Sequence, residues 1–292
     1  MTICINKNNS LSDLAAIQLA FLNDLTANQV KGLAVLIKEY NLSSQKNSFR
    51  KLFCRIIELS KKTDDPVQSV IYLTNAFKVA LDLLPKLKKL MTPQALSTLT
   101  KMLLHGGPTD KFSSTLGVFH CLKTILDNPA RFGLDGKRFA ILVEVSDMGN
   151  SRFVDILFYA LDDVTTPATI KKIDPNKVLR SVEVKWYLAK SDIESQHLQL
   201  LFDVERSVRR GKYLDDVTWM VPQDYPQGKI HDLINLVDAN LYTFLRESIP
   251  ELSFVDLRDA RLRVFENLAN KVFQKADVLR TFVDNIVKPD SL

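Results

Sequence analysis

Between residues 11 and 104 the apolar positions recur every three or four residues, and no stretch alternates residue by residue. That spacing keeps one face of a helix apolar and predicts about five helices in succession. Leu14, Ile17, Leu19, Phe21, Leu22 and Leu25 form a first stripe, after Ser10 or Ser12 as cap. Val30, Leu33, Ala34, Leu36 and Ile37 form a second, and Phe49, Leu52, Phe53, Ile56, Ile57 and Leu59 a third. Asp65-Pro66 opens a fourth, where the fixed φ of proline suits a first turn, and Thr92-Pro93 opens a fifth that runs to Leu104. Pro85 should break or kink the path between the last two. His105-Gly-Gly-Pro108 then interrupts the pattern and separates an α-helical domain, 1–108, from a second domain, 109–292.

Beyond that break the period changes. Leu116, Phe119, Leu122, Ile125 and Leu126 predict a helix over 113–127. Arg138 to Val145 reads as a strand, 147–151 as a tight turn and 152–160 as a second strand. A connection over 162–179 leads to a third strand at 180–188. A helix over 192–210, a strand over 216–221 and helices over 229–247 and 254–287 follow. The expected fold class is α+β: an N-terminal α-helical bundle, an α-β-β-β-α-β core and C-terminal helices.

Two of these strands carry charge in otherwise apolar runs. Phe153-Val-Asp-Ile-Leu-Phe-Tyr159 holds a lone Asp155, and Ser181-Val-Glu-Val-Lys-Trp-Tyr187 holds Glu183 and Lys185. Successive strand side chains point to opposite faces, so Glu183 and Lys185 share one face while Val182, Val184 and Trp186 fill the other. If the strands are neighbours, Asp155 joins the first face, and two carboxylates stand beside one ammonium. Mg²⁺ or Mn²⁺ takes hard oxygen ligands, often one or two carboxylates with water and phosphate. Such an ion polarises a phosphoryl oxygen and activates water, and a lysine can orient that water and offset transition-state charge. The plainer reading is a cross-strand ion pair on a solvated face, worth about 0–1 kcal/mol. Glu144 is a third candidate ligand. A two-residue hairpin loop at Gly149-Asn150 places it opposite Asp155, whereas a three-residue loop turns it to the other face.

This element order, with an acid on the second strand and Glu-x-Lys on the third, resembles the PD-(D/E)XK nuclease superfamily, the restriction-endonuclease-like group, over about residues 112–222. The resemblance implies a metal-dependent endonuclease acting on DNA or RNA. Asp155 and Glu183 would be its metal-binding acids and Lys185 its active-site lysine, with Mg²⁺ or Mn²⁺ as cofactor. Phe153-Val stands where the family's name has proline before the acid. Many members carry a glutamate on the first helix; residues 113–126 hold no acid, and Glu144 is the candidate replacement. Many also place a glutamine or a basic residue on the helix after Glu-x-Lys, which nominates Gln196 to meet nucleic acid, with Gln199 expected to face solvent. Arg206, Arg209 and Arg210, at i, i+3 and i+4, either grip phosphates or cap the helix C-terminus. Within the family, an appended helical domain looks most like a bacterial toxin or effector nuclease. The alternative function is a non-catalytic module that binds nucleic acid or protein on the same fold.

Composition alters this picture in a few places. Net charge is +5, but residues 1–108 carry 14 Lys and Arg against 7 Asp and Glu, and the remainder 25 against 27. A basic N-terminal half suits a nucleic-acid or protein partner, or is a solvated lysine-rich surface. Cys4, Cys54 and Cys121 have neither zinc nor disulfide spacing, which points to a reducing, cytoplasmic compartment. No apolar run reaches membrane-spanning length and Met1–Lys7 has no signal-peptide pattern, although an exported effector that bypasses that route would look the same. The four histidines and three cysteines form no catalytic pairing; His120 and His197 fall on helices, and Trp186 and Trp219 read as sheet packing.

Overall fold

The computed structural model describes residues 66–104, 109–145, 154–185, 193–221, 223 and 225–276. The three stripes expected before residue 66, the His105–Pro108 break, the 147–151 turn and Trp186 lie outside the described residues. The chain divides into two compact units, parting between Lys123 and Thr124, with Leu90–Thr92 belonging to the second.

In the first unit, α1 (Pro66–Leu90) and α2 (Pro93–Leu104) both start on the proline that the sequence marks, and α3 (Thr109–Asp127) runs up to and across the division. Leu73, Phe77, Ala80, Leu81, Leu84 and Leu87 are buried along α1 at steps of three and four. Of the break or kink expected at Pro85, the break does not occur: α1 continues five residues past it to Leu90. Pro85 is exposed while Leu83, Leu84 and Leu87 around it are buried. Packing on both sides of the proline therefore outweighs the missing backbone hydrogen bond, a cost of roughly 3 kcal/mol.

The second unit is built on one five-stranded sheet in the order β1-β2-β3-β4-β5. β1 (Phe139–Val145), β2 (Val154–Ala160) and β3 (Val178–Val184) are antiparallel neighbours. α4 (Ile193–Arg209) then carries the chain over to β4 (Val217–Val221), which lies parallel to β3. The observed order is thus helix, three strands, helix, strand, a mixed α+β architecture. Met91 makes a parallel bridge to Ile141 at the outer edge of β1. α5 (Gln227–Ser248) and α6 (Phe254–Asn267) follow. Leu200, Leu201, Val204 and Val208 of α4, Val217 and Trp219 of β4, and Leu233, Val237, Leu241 and Val264 of the last two helices share one buried core.

The helix expected over 254–287 ends early. α6 stops at Asn267, passes through a π turn at Leu268–Val272 and becomes β5 (Phe273–Lys275), parallel to β4. The unpaired backbone edge of β4, all five of whose residues are buried, needs a partner strand. Leu257, Ala260, Val264 and Leu268 are buried, whereas Leu262 and Phe265 are exposed. Among the described residues, no helix is long and apolar enough to cross a membrane.

Candidate active site

Register brings the strand charges together. The ladder of β2 and β3 ends at Ile156 with Val182, and Asp155 and Glu183 are the next positions outward on the two strands. β3 and β4 pair Glu183 with Trp219, and β4 and β5 pair Trp219 with Phe273. One transverse row on a single sheet face therefore reads Asp155, Glu183, Trp219, Phe273. Side chains of directly paired residues share a face, which is why segments far apart in sequence meet here.

Asp155 Oδ2 accepts a hydrogen bond of 2.7 Å from the backbone N–H of Val184. Glu183 is only 2% exposed. Its Oε2 accepts from Gln199 Nε2 at 2.5 Å and from Lys185 Nζ at 3.4 Å, while its buried Oε1 has no hydrogen-bond donor among the described residues. Lys185 Nζ also donates to Gln199 Oε1 at 2.6 Å and sits 4.6 Å from the centroid of the Trp219 ring. Trp219 Nε1 donates to Asp203 Oδ2 at 2.8 Å, and Asp203 Oδ1 accepts from Arg206. Gln199, Asp203 and Arg206 stand at i, i+4 and i+7, so one face of α4 supplies all three to the sheet.

Burial dominates the electrostatics. It pushes the Asp155 carboxyl above its ordinary range, against the pull of Lys185 and of the Val184 N–H. It pushes Glu183 well above the carboxylate range, with the Asp155 charge adding to the rise and Lys185 opposing it. Two carboxylates that resist ionising together will gain from a cation placed between them. Asp203 adds to the rise at both.

The other expected site residues lie elsewhere or are otherwise engaged. β1 and β2 pair Val143 with Ile156 and Val145 with Val154, the register that sets Glu144 opposite Asp155. Yet Glu144 has φ 51° and an exposed side chain. That left-handed backbone interrupts the alternation of the strand, so register alone does not deliver a third carboxylate. Among the described residues, no three His, Cys, Asp or Glu side chains group to hold a metal ion.

On α4 it is Gln199, expected to face solvent, that enters the cluster, while half-buried Gln196 makes none of these contacts. The arginines are held by carboxylates. Arg206 is buried against Asp203, and Arg210 is buried against Asp216 at 2.6 Å, closing the turn into β4. Arg209 bonds Glu205 at 3.0 Å, Glu251 at 2.9 Å and the Ser248 carbonyl.

Gln199, Asp203 and Trp219 are the members that sequence reasoning missed. One signal was present: Asp203 is a single charge inside Leu200-Leu-Phe-Asp-Val204, an apolar run on an amphipathic helix. No family model, curated protein or solved structure matches the chain.

Proposed function

We propose that the protein is a metal-dependent nuclease with a restriction-endonuclease-like core, hydrolysing phosphodiester bonds of DNA or RNA. The observation that carries this reading is that Asp155 and Glu183, on neighbouring strands, act on each other's charge beside Lys185, with Glu183 Oε1 buried and without a donor among the described residues. The two carboxylates fit Mg²⁺ or Mn²⁺, which take oxygen ligands and complete their shell with water and phosphate. An ion held there would neutralise two carboxyls that burial keeps from ionising freely and would give Oε1 a partner. When bound, it supplies polarisation of the phosphoryl oxygen and a more acidic water.

The chain's own residues do the rest. Lys185 presents a positive charge beside the carboxylates, where it can orient the attacking water and offset charge on the pentavalent phosphorus. Gln199 ties Lys185 to Glu183 through both ends of its amide, fixing the distance between acid and ammonium. Within this reading, the appended helices suit a toxin or effector nuclease that holds nucleic acid or a protein partner. The alternative, a non-catalytic module on the same fold, draws on the carboxylate partners of Arg206, Arg209 and Arg210.

The test is incubation of purified wild type and Lys185→Ala with labelled DNA and RNA in Mn²⁺, Mg²⁺ or EDTA. Cleavage by wild type only, abolished by EDTA, is the expected result and names the substrate class. Equal traces from both proteins mean contamination, and folded wild type that cuts neither polymer shifts the reading to the binding module.

A further inference from the structure

Lysine has a flexible four-carbon stem and three donors, so a catalytic ammonium must be fixed by its surroundings. Lys185 is held from three sides: Glu183 Oε2 at 3.4 Å, Gln199 Oε1 at 2.6 Å and the Trp219 ring at 4.6 Å. We infer that Trp219 and Asp203 are positioning residues for Lys185, the indole face seating the ammonium and the Asp203 carboxylate locking the indole. This inference rests on the nuclease reading of the site.

Plain core packing does not account for the arrangement. An apolar side chain at 219 would pack against Phe273 without any polar partner, yet the indole N–H is matched to a carboxylate that is itself 1% exposed. Burying Asp203 is costly, and Arg206 is buried beside it to offset that charge. One oxygen of Asp203 takes Arg206 and the other takes the indole, which leaves the ring a single orientation. The Phe273 edge contact, with centroids 5.8 Å apart at 68°, supports the ring from β5. The face that results meets Lys185, and such a contact is strongest where water is excluded. Gln199 and Asp203 are one helical turn apart, so a single turn of α4 sets both the amide that bonds the ammonium and the acid that orients its seat.

The experiment compares Trp219→Leu, Trp219→Phe and Asp203→Asn with wild type. It uses two readouts: cleavage kinetics in Mn²⁺, and the rate at which acetic anhydride modifies Lys185 in EDTA, followed by peptide mass spectrometry. Thermal unfolding establishes that each variant is folded. Trp219→Leu should lower kcat about 30-fold with KM held, the equivalent of one desolvated cation–π contact. Its Lys185 labelling should rise by a similar factor. Trp219→Phe keeps an aromatic face and should stay within about threefold of wild type in both readouts, a rescue by the conservative residue. Asp203→Asn keeps the side-chain shape, removes the charge that locks the ring and should fall between them. If Trp219→Leu does not fold, Asp203→Asn carries the test. Wild-type kcat in a folded Trp219→Leu or Asp203→Asn, a change in KM only, or wild-type labelling overturns the inference. If wild type cuts nothing, the nuclease reading fails and the labelling rates decide the seat separately.

Discussion

Removing the Lys185 ammonium tests whether Asp155 and Glu183 form a buried charged site or a surface ion pair. Lys185 Nζ lies 3.4 Å from Glu183 Oε2, with side chains 13% and 2% exposed. At an effective dielectric of about 20, two unit charges at that separation attract by about 5 kcal/mol. Breaking a buried pair by removing one partner costs about 3–5 kcal/mol, because the other charge is left uncompensated. The remaining carboxyl can take up a proton, so the cost depends on pH. Both carboxyls titrate above their ordinary range in the folded chain. Their stabilising share is complete below the unfolded carboxylate range, near pH 4, and is lost as pH rises through the raised folded values. Lys185 opposes that rise at both residues, so Lys185→Ala moves them further up and widens the loss. Urea unfolding in EDTA should find Lys185→Ala less stable than wild type by about 3 kcal/mol at pH 8 and by much less near pH 4. Adding Glu183→Gln to Lys185→Ala should recover most of the deficit, because the stranded charge is gone. A deficit below about 1 kcal/mol, equal at both pH values, is what an exposed pair would give and would refute the reasoning.

Mn²⁺ should raise the melting temperature of wild type, by the equivalent of about 2.7 kcal/mol at 100 times its Kd, and should leave Asp155→Asn and Glu183→Gln unchanged; a wild-type Tm indifferent to Mn²⁺ removes the metal site. Gln199→Ala should slow cleavage at least about tenfold and Gln196→Ala less than about twofold, since only Gln199 bonds both Lys185 and Glu183; equal effects would contradict the geometry. Burial, with Lys123 nearby, pushes the His120 imidazole down to about 4. The unfolded imidazole takes a proton near 6.5, so acidification across that window should destabilise the protein by on the order of 2–3 kcal/mol. His120→Gln should flatten that slope in thermal melts from pH 7 to 4, and an unaltered slope would assign it to other groups.

Much of the fold was legible because its signals are local. Pro66 and Pro93 mark helix starts by their fixed φ, an apolar run broken by one charge marks β2, and Glu-x-Lys in an apolar run marks β3. Counting back from the turn left two registers of β1 on β2 open, and the one observed is that of a two-residue loop. What failed depends on tertiary context. Pro85 is tolerated because buried leucines flank it. Phe273–Lys275 become a strand because β4 offers an edge, although Val272 and Phe273 fit a helical stripe equally well. At Glu144 the register was right and the local backbone conformation, which no side-chain pattern encodes, was not. Gln199 and Gln196 are three residues apart on one helix, and only the rotation of α4 against the sheet distinguishes them.

Lys185, Gln199, Asp203, Arg206 and Trp219 all fall within β3, α4, β4 and the residue after β3, a single strand–helix–strand stretch that also contains Glu183. Contacts that close short loops form faster than those that join distant segments. The lysine and its amide clasp, Lys185 and Gln199, are the nearest of these in sequence, with |i−j| of 14, and can therefore meet first. Asp155 bonds the Val184 N–H across 29 residues, a shorter span than the 34 positions that separate Lys185 from Trp219. By loop length the two carboxylates therefore come together before the indole closes over the ammonium, so the cation-binding pair does not wait on the seat of the lysine.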